Sequence, residues 1–177
     1  MLMFALVASL ALLGQPEAAL GLQDGQDQKK EQKQPRYNQY RRNQLKDLLV
    51  VQLKLGTKLQ HKFTAWVMDT DDKRSEGMMF LHDQDVAKNQ AMIFVFKEED
   101  VLSFWMMNTL IPLDIAYVNE KGTIVKTYTM RAHDTITSYT SASPAMYAIE
   151  FEAGTFRRLG IRAGQKVEIP DKVKAKD

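Results

Sequence analysis

The chain of 177 residues contains no cysteine. Disulfides, thiolate zinc sites, cysteine nucleophiles and an acylated lipoprotein anchor are thereby excluded. A strong charge of either sign is also missing. The net charge is +2, with acids and bases interleaved, so nothing argues for nucleic acid as a partner. The G-x-S-x-G, H-E-x-x-H and phosphate-cradling glycine motifs are absent. His61, His82 and His133 are scattered, so no resident metal or cofactor is expected. There is no internal repeat.

What is present divides the chain. Met1–Leu13 reads MLMFALVASLALL, an uncharged run with Ala18 and Ala19 after it. That length suits the h-region of a secretory signal and is short for a bilayer span. The basic n-region of a signal is missing, and the alternative is an ordinary apolar helix. The expectation is a signal peptide over 1–22, export to a periplasmic or extracellular location, and no membrane span once it is removed. Gln23 to Gln44 reads QDGQDQKKEQKQPRYNQYRRNQ. It has too little apolar area to offset its ordering entropy, so residues 23–47 are expected to form a polar, Gln-rich tether.

The folded domain is expected over 48–170, with a charged tail over 171–177 and a monomeric state. Period-two alternation and turn residues place strands at Leu49–Leu55, His61–Met68, Ala91–Phe96, Val101–Asn108, Asp114–Asn119, Thr123–Met130, Met146–Glu152 and Gln165–Ile169. Asp69 or Thr70 can cap a helix over Asp71–Glu76 that Gly77 ends. A helical turn is expected within Asp83–Lys88. Thr155–Leu159 is a short helix stopped by Gly160, and Gly122 supplies positive φ to the turn after Asn119. The class is mainly β: a compact barrel-like or sandwich domain with one to three short helices.

Three segments stand out. They are Arg74-Ser75-Glu76-Gly77-Met78-Met79-Phe80; Met92–Phe96 leading into Ser103–Asp114; and Ser143–Glu150, with Gly154 and Leu159-Gly160-Ile161 following. In this order they resemble the bacterial and archaeal family called domain of unknown function 192. The resemblance spans roughly Leu48 to Pro170. It implies a small β-rich, barrel-like unit commonly preceded by an export signal, and it implies no reaction. Three positions depart from the family pattern. Met107 stands where Lys or Arg is usual, Met146 where a base is frequent, and Ala91 where Gly is usual.

In Phe104–Asp114, alternation puts Phe104, Met106 and Asn108 on one strand face and Trp105 and Met107 on the other. Both faces are apolar, so a central strand with a buried Asn108 is expected, broken at Pro112. Asn108 and Asp114 either tie down that break or line a cleft. Arg74 can pair with Asp114 or Glu150, while Glu150 alternates in phase with Glu152 on what reads as a solvent face. The candidate ligand-binding set is Arg74, Trp105, Asn108, Asp114 and Glu150. The leading reading is a non-catalytic binding or accessory module of the cell envelope, its partner an unidentified ligand or envelope component. A second is a hydrolase of an envelope polymer or carbohydrate using Asp114 and Glu150 as a carboxylate pair. A third is Cu(I) binding by Met78, Met79, Met106, Met107 and Met130 with Trp105 and His82 or His133; against it, methionine is an adaptable core filler.

Overall fold

The computed structural model describes residues 37–177. The expected signal peptide and most of the tether lie outside these residues. Nine strands are present among the described residues: β1 Val50–Gly56, β2 His61–Met68, β3 Gln90–Asp100, β4 Ser103–Phe104, β5 Leu113–Val118, β6 Ile124–Met130, β7 Tyr139–Thr140, β8 Ala145–Glu152 and β9 Lys166–Glu168. Two short helices, α1 Asp71–Glu76 and α2 Thr155–Leu159, complete the regular elements apart from single 3-10 turns. The mainly β expectation holds.

Seven strands form one sheet in the order β6-β5-β8-β3-β2-β1-β9. All its pairings are antiparallel except β2 with β3. The β2–β3 connection, a parallel crossover, carries α1. The sheet curls until its two edges touch at one end. Thr123 bridges Lys166, and the Ile124 amide donates to Gln165 O at 2.9 Å. Gly122 makes this approach possible: φ is +69°, and a Cβ there would stand 2.6 Å from Val167 O.

The curl explains why the strands read as apolar on both faces. One cluster fills its inside, with Leu53, Phe63, Val67, Ile93, Ile149 and Phe151 among its members. The alternate residues Met68, Met92, Phe94, Ile115 and Tyr117 face the other way into a second cluster. The covering segments supply Met78, Leu81, Leu102, Met106 and Ile111 to that cluster. An edge-to-face run of rings, Phe94, Phe104, Tyr117, Tyr128 and Tyr139, crosses this second core. The Tyr117 hydroxyl donates to Tyr139 O at 2.6 Å, which satisfies its buried polar atom.

Local signals performed as expected at the helices. The Thr70 side chain accepts from the Lys73 amide, Gly77 ends α1, and Gly160 stops α2 in the left-handed region. The main correction concerns Val101–Asn108. β3 runs on to Asp100, and only Ser103–Phe104 pair afterwards, with β7 in a separate two-stranded sheet. The apolar residues of 102–111 cover a core as loop rather than as a central strand. Hydrophobicity on both faces of a segment does not separate those cases.

The tether and tail boundaries also differ from composition. Arg41 and Leu48 are buried. The amides of Arg42 and Asn43 donate to the Glu76 carboxylate at 2.6 and 2.9 Å. At the other end Val173 is buried, the Lys176 amide donates to Asp69 O at 2.7 Å, and Asp177 pairs with Arg74 at 2.8 Å.

Candidate functional site

The structure separates most of the expected site residues. Arg74, on α1, is fully engaged elsewhere: Nη1 donates to Val95 O at 2.8 Å, and Nη2 contacts Asp71 and Asp177. Its guanidinium also lies over the Phe96 ring, 5.3 Å from the centroid. It pairs with neither Asp114 nor Glu150 and instead fastens the C-terminal segment to β3.

Asp114 is fully buried on β5. Its Oδ1 accepts from the Thr129 hydroxyl at 2.6 Å, and Oδ2 accepts from the Phe156 amide at 2.8 Å. The second bond satisfies an orphan amide in the first turn of α2, a cap delivered from a distant strand. Asp114 is therefore a structural clamp, in line with the tie-down reading, though the loop it fixes is that of α2.

Asn108 is exposed, not buried, and holds φ +55° in the left-handed region, where Asn is tolerated. Its carbonyl accepts from the Phe80 amide at 2.9 Å, joining the second signature segment to the first. Trp105 is 53% exposed beside Ile136, which is 95% exposed. A shallow cavity of about 310 Å³ opens there, with Ser103, Thr137 and Ser138 on its rim.

Glu150 reverses its expected placement. In register it faces Met92 of β3 and Ile115 of β5, both members of the second core. The loops cover this face, so Glu150 is only 4% exposed and its Oε2 has no hydrogen-bond partner in the protein. Burial pushes its pKa up to about 8, and the charge of Arg41 pulls partly against that. Asp114 pairs with Phe151 and Ile115 with Glu150. Adjacent positions on a strand point to opposite faces, so the two carboxylates lie on opposite sides of the sheet and form no catalytic pair.

Sequence reasoning missed Arg41. Its Nη1 donates to Gly77 O and Met79 O, each at 2.7 Å, and Nη2 lies 3.6 Å from Glu76. That Nη2 is buried without a hydrogen-bond partner, as Glu150 Oε2 is. Desolvation lowers the Arg41 pKa against the opposing fields of Glu76, Asp85 and Glu150. Arg41 thus sits beneath the Gly77–Phe80 signature against Glu76, within the electrostatic field of Asp85 and Glu150. No composition rule flags an arginine in a Gln-rich run as buried, because its partners are carbonyls and acids distant in sequence.

The methionines are divided. Met78, Met106 and Met130 pack within the second core, while Met79 and Met107 are half-buried. Among the described residues no group of three or more His, Asp or Glu side chains is placed to hold a metal.

A curled sheet with a charged cluster under covering loops defines a small β-barrel-like domain. The family comparison gives it a place: residues 51–169 match the model of DUF192, described as an uncharacterized ACR, and the chain belongs to that family. Two solved structures are similar. A protein of unknown function from Novosphingobium aromaticivorans DSM 12444 is 30% identical with a TM-score of 0.66, covering 72% of this chain and 90% of its own. A protein from Sinorhizobium meliloti 1021, provisionally named a transcription regulator, is 28% identical with a TM-score of 0.63, covering 68% and 94%. No curated protein matches the chain. Arg41 lies outside the family-matched span, whereas Glu76, Asp85 and Glu150 lie within it. No helix among the described residues is long and apolar enough to cross a membrane.

Proposed function

We propose that the chain is an exported accessory module of the cell envelope that binds a small ligand without transforming it, and that the recognising group is the Glu150 carboxyl. One observation carries this reading. Signature segments distant in sequence gather over a buried carboxyl whose Oε2 has no hydrogen-bond partner in the protein. Leaving such an atom unpaired costs on the order of 1–3 kcal/mol, and groups perturbed in this way concentrate where proteins recognise ligands.

The ligand supplies an ammonium or a guanidinium, whose positive charge favours the ionised carboxylate, so Glu150 releases its proton as the ligand binds. Arg41 already brings a guanidinium toward the acids from a segment preceding the family-matched span, so that segment competes for the site. Export rests on the apolar Met1–Leu13 run and the polar stretch after it. A hydrolase reading is not favoured, because Asp114 and Glu150 face away from each other.

Thermal unfolding of the full chain with agmatine and arginine amide tests the binding site. A saturable rise in Tm in the wild type, absent from Glu150→Gln, is expected; equal shifts in both proteins would overturn the assignment. Fractionation with N-terminal sequencing tests export. A product beginning near residue 23 outside the cytoplasm is expected, and full-length protein confined to the cytoplasm refutes it.

A further inference from the structure

A second cavity, of about 780 Å³, lies at the far end of β3 and β8 and shares no lining residue with the Glu150 cluster. It lies beside an irregularity in the register. After Val95 pairs with Tyr147, the next pairing is Asp100 with Ala145. The ladder advances five residues on β3 and two on β8, so β3 bulges beside the cavity. Val95, Phe96, Met146 and Tyr147 line it from the sheet. Val95 is buried and the other three are half-buried; Val95 and Tyr147 belong to the core inside the curl, while Phe96 packs toward the second core.

The opposite wall is the C-terminal segment. Ile169, Pro170 and Val173 line the cavity, and the Val173 amide donates to Pro170 O at 2.9 Å. Charged residues that composition assigns to a tail hold this wall in place. Lys176 pairs with Asp69 at 2.7 Å and Asp177 with Arg74 at 2.8 Å. Burial acts to raise the Asp69 pKa, but Lys176 and Lys73 outweigh it, and the carboxyl is held below its ordinary value. Arg74 in turn rests on Phe96 and binds Val95 O. The same arginine therefore fixes the sheet side of the cavity and the segment that faces it.

Three lysines line the opening: Lys97 from β3, Lys121 from the β5–β6 turn and Lys174 from the C-terminal segment. None has an ion-pair partner among the described residues. Glu120 and Asp171 line the same cavity, so the cations exceed the acids by one. The volume falls within the ~300–1,000 Å³ typical of small-molecule sites, and the lining mixes apolar side chains with a larger share of polar surface.

From this combination we infer a binding site for an amphipathic anion: a hydrocarbon or aromatic body against Val95, Phe96, Met146 and Tyr147, with a carboxylate or phosphate held by Lys97, Lys121 and Lys174. The hydrophobic term supplies affinity, since each methylene transferred from water multiplies binding by about threefold to fourfold. The lysines set the sign of charge accepted and, being exposed, add a smaller factor that salt screens. This site stands independently of the Glu150 reading.

Titration calorimetry of the full chain with hexanoate, octanoate, decanoate and dodecanoate, below their micelle concentrations, tests the inference. Affinity is expected to climb about threefold to fourfold per added methylene until the cavity is full. The variant K97Q/K121Q/K174Q changes only exposed side chains, so it folds with an unaltered Tm. It is expected to weaken dodecanoate by roughly tenfold and to leave dodecanol unchanged. Glu150→Gln is expected to bind dodecanoate as the wild type does, so failure here and failure of the Glu150 reading are separable. Affinity without chain-length dependence, dodecylammonium binding as tightly as dodecanoate, or undiminished dodecanoate binding by the triple variant overturns the proposal.

Discussion

Substituting Glu150 by Gln should make the protein more stable at neutral pH, and the gain should vanish in acid. Glu150 is pushed up to about 8 by its burial, with Arg41 offsetting part of the effect. An unfolded glutamate titrates near ~4.3. Between those values the unfolded chain has released its proton while the folded chain retains it. The unfolded state then binds fewer protons, so stability falls as pH rises, by about 1.4 kcal/mol per pH unit for a single group. The full effect is present below the unfolded pKa, declines through neutrality and is exhausted above the folded pKa. From pH 4.3 to 7 the loss is on the order of 3 kcal/mol. A glutamine, similar in shape to the protonated acid, does not titrate and escapes this loss. Urea unfolding of both proteins at intervals from pH 4.5 to 8 measures it. The difference between them cancels other titrating groups, Asp69 included. The stability of Glu150→Gln minus wild type should grow from near zero at pH 4.5 to about 3 kcal/mol at pH 7. A difference that stays flat across that range would refute burial as the force acting on Glu150.

Two other substitutions probe the scaffold. Asp114→Ala removes the acceptor for the Thr129 hydroxyl, which can turn to water, and for the Phe156 amide, which is buried; leaving that buried amide unpaired should cost about 1–3 kcal/mol. Hydrogen exchange at Phe156 should accelerate well beyond that at β3, and uniform loss across the domain would show that Asp114 does not act through α2. Gly122→Ala places a Cβ against Val167 O, 2.6 Å away, at φ +69°. The backbone alone should cost about 1–2 kcal/mol, with the edge contact opening as well. Unchanged protection of the Ile124 and Val167 amides would contradict the account of how the sheet closes.

Much of the architecture is decided by forces that act within a few residues. Thr70 and Gly77 bracket α1 and Gly160 ends α2, because cap bonds and left-handed φ are local requirements. β2 and β8 fall close to their expected bounds for the same reason, as alternation and β-branched content are read along one strand. The order of the signature segments was enough to place the chain in its family. Reach along the chain is also where local reading fails. The apolar run after Leu102 satisfies the pattern of a strand, but whether it pairs or covers a core depends on which edges are free. β7, two residues among Thr, Ser and Asp, carries no pattern of its own.

The charged residues divide in the same way. Alternation correctly puts Glu150 and Glu152 on one face, yet it cannot say whether that face meets water. Segments some forty to seventy residues earlier supply the cover. Arg41 and Asp177 sit in stretches whose composition argues for solvated chain, and composition measures apolar area. Their placement comes from carbonyls and carboxylates brought near by the tertiary fold. The sequence by itself determined the class, most of the elements and the family. Only the tertiary structure decided which charges are buried and which cavity opens, because desolvation and ion pairing depend on distances in space that spacing along the chain does not encode.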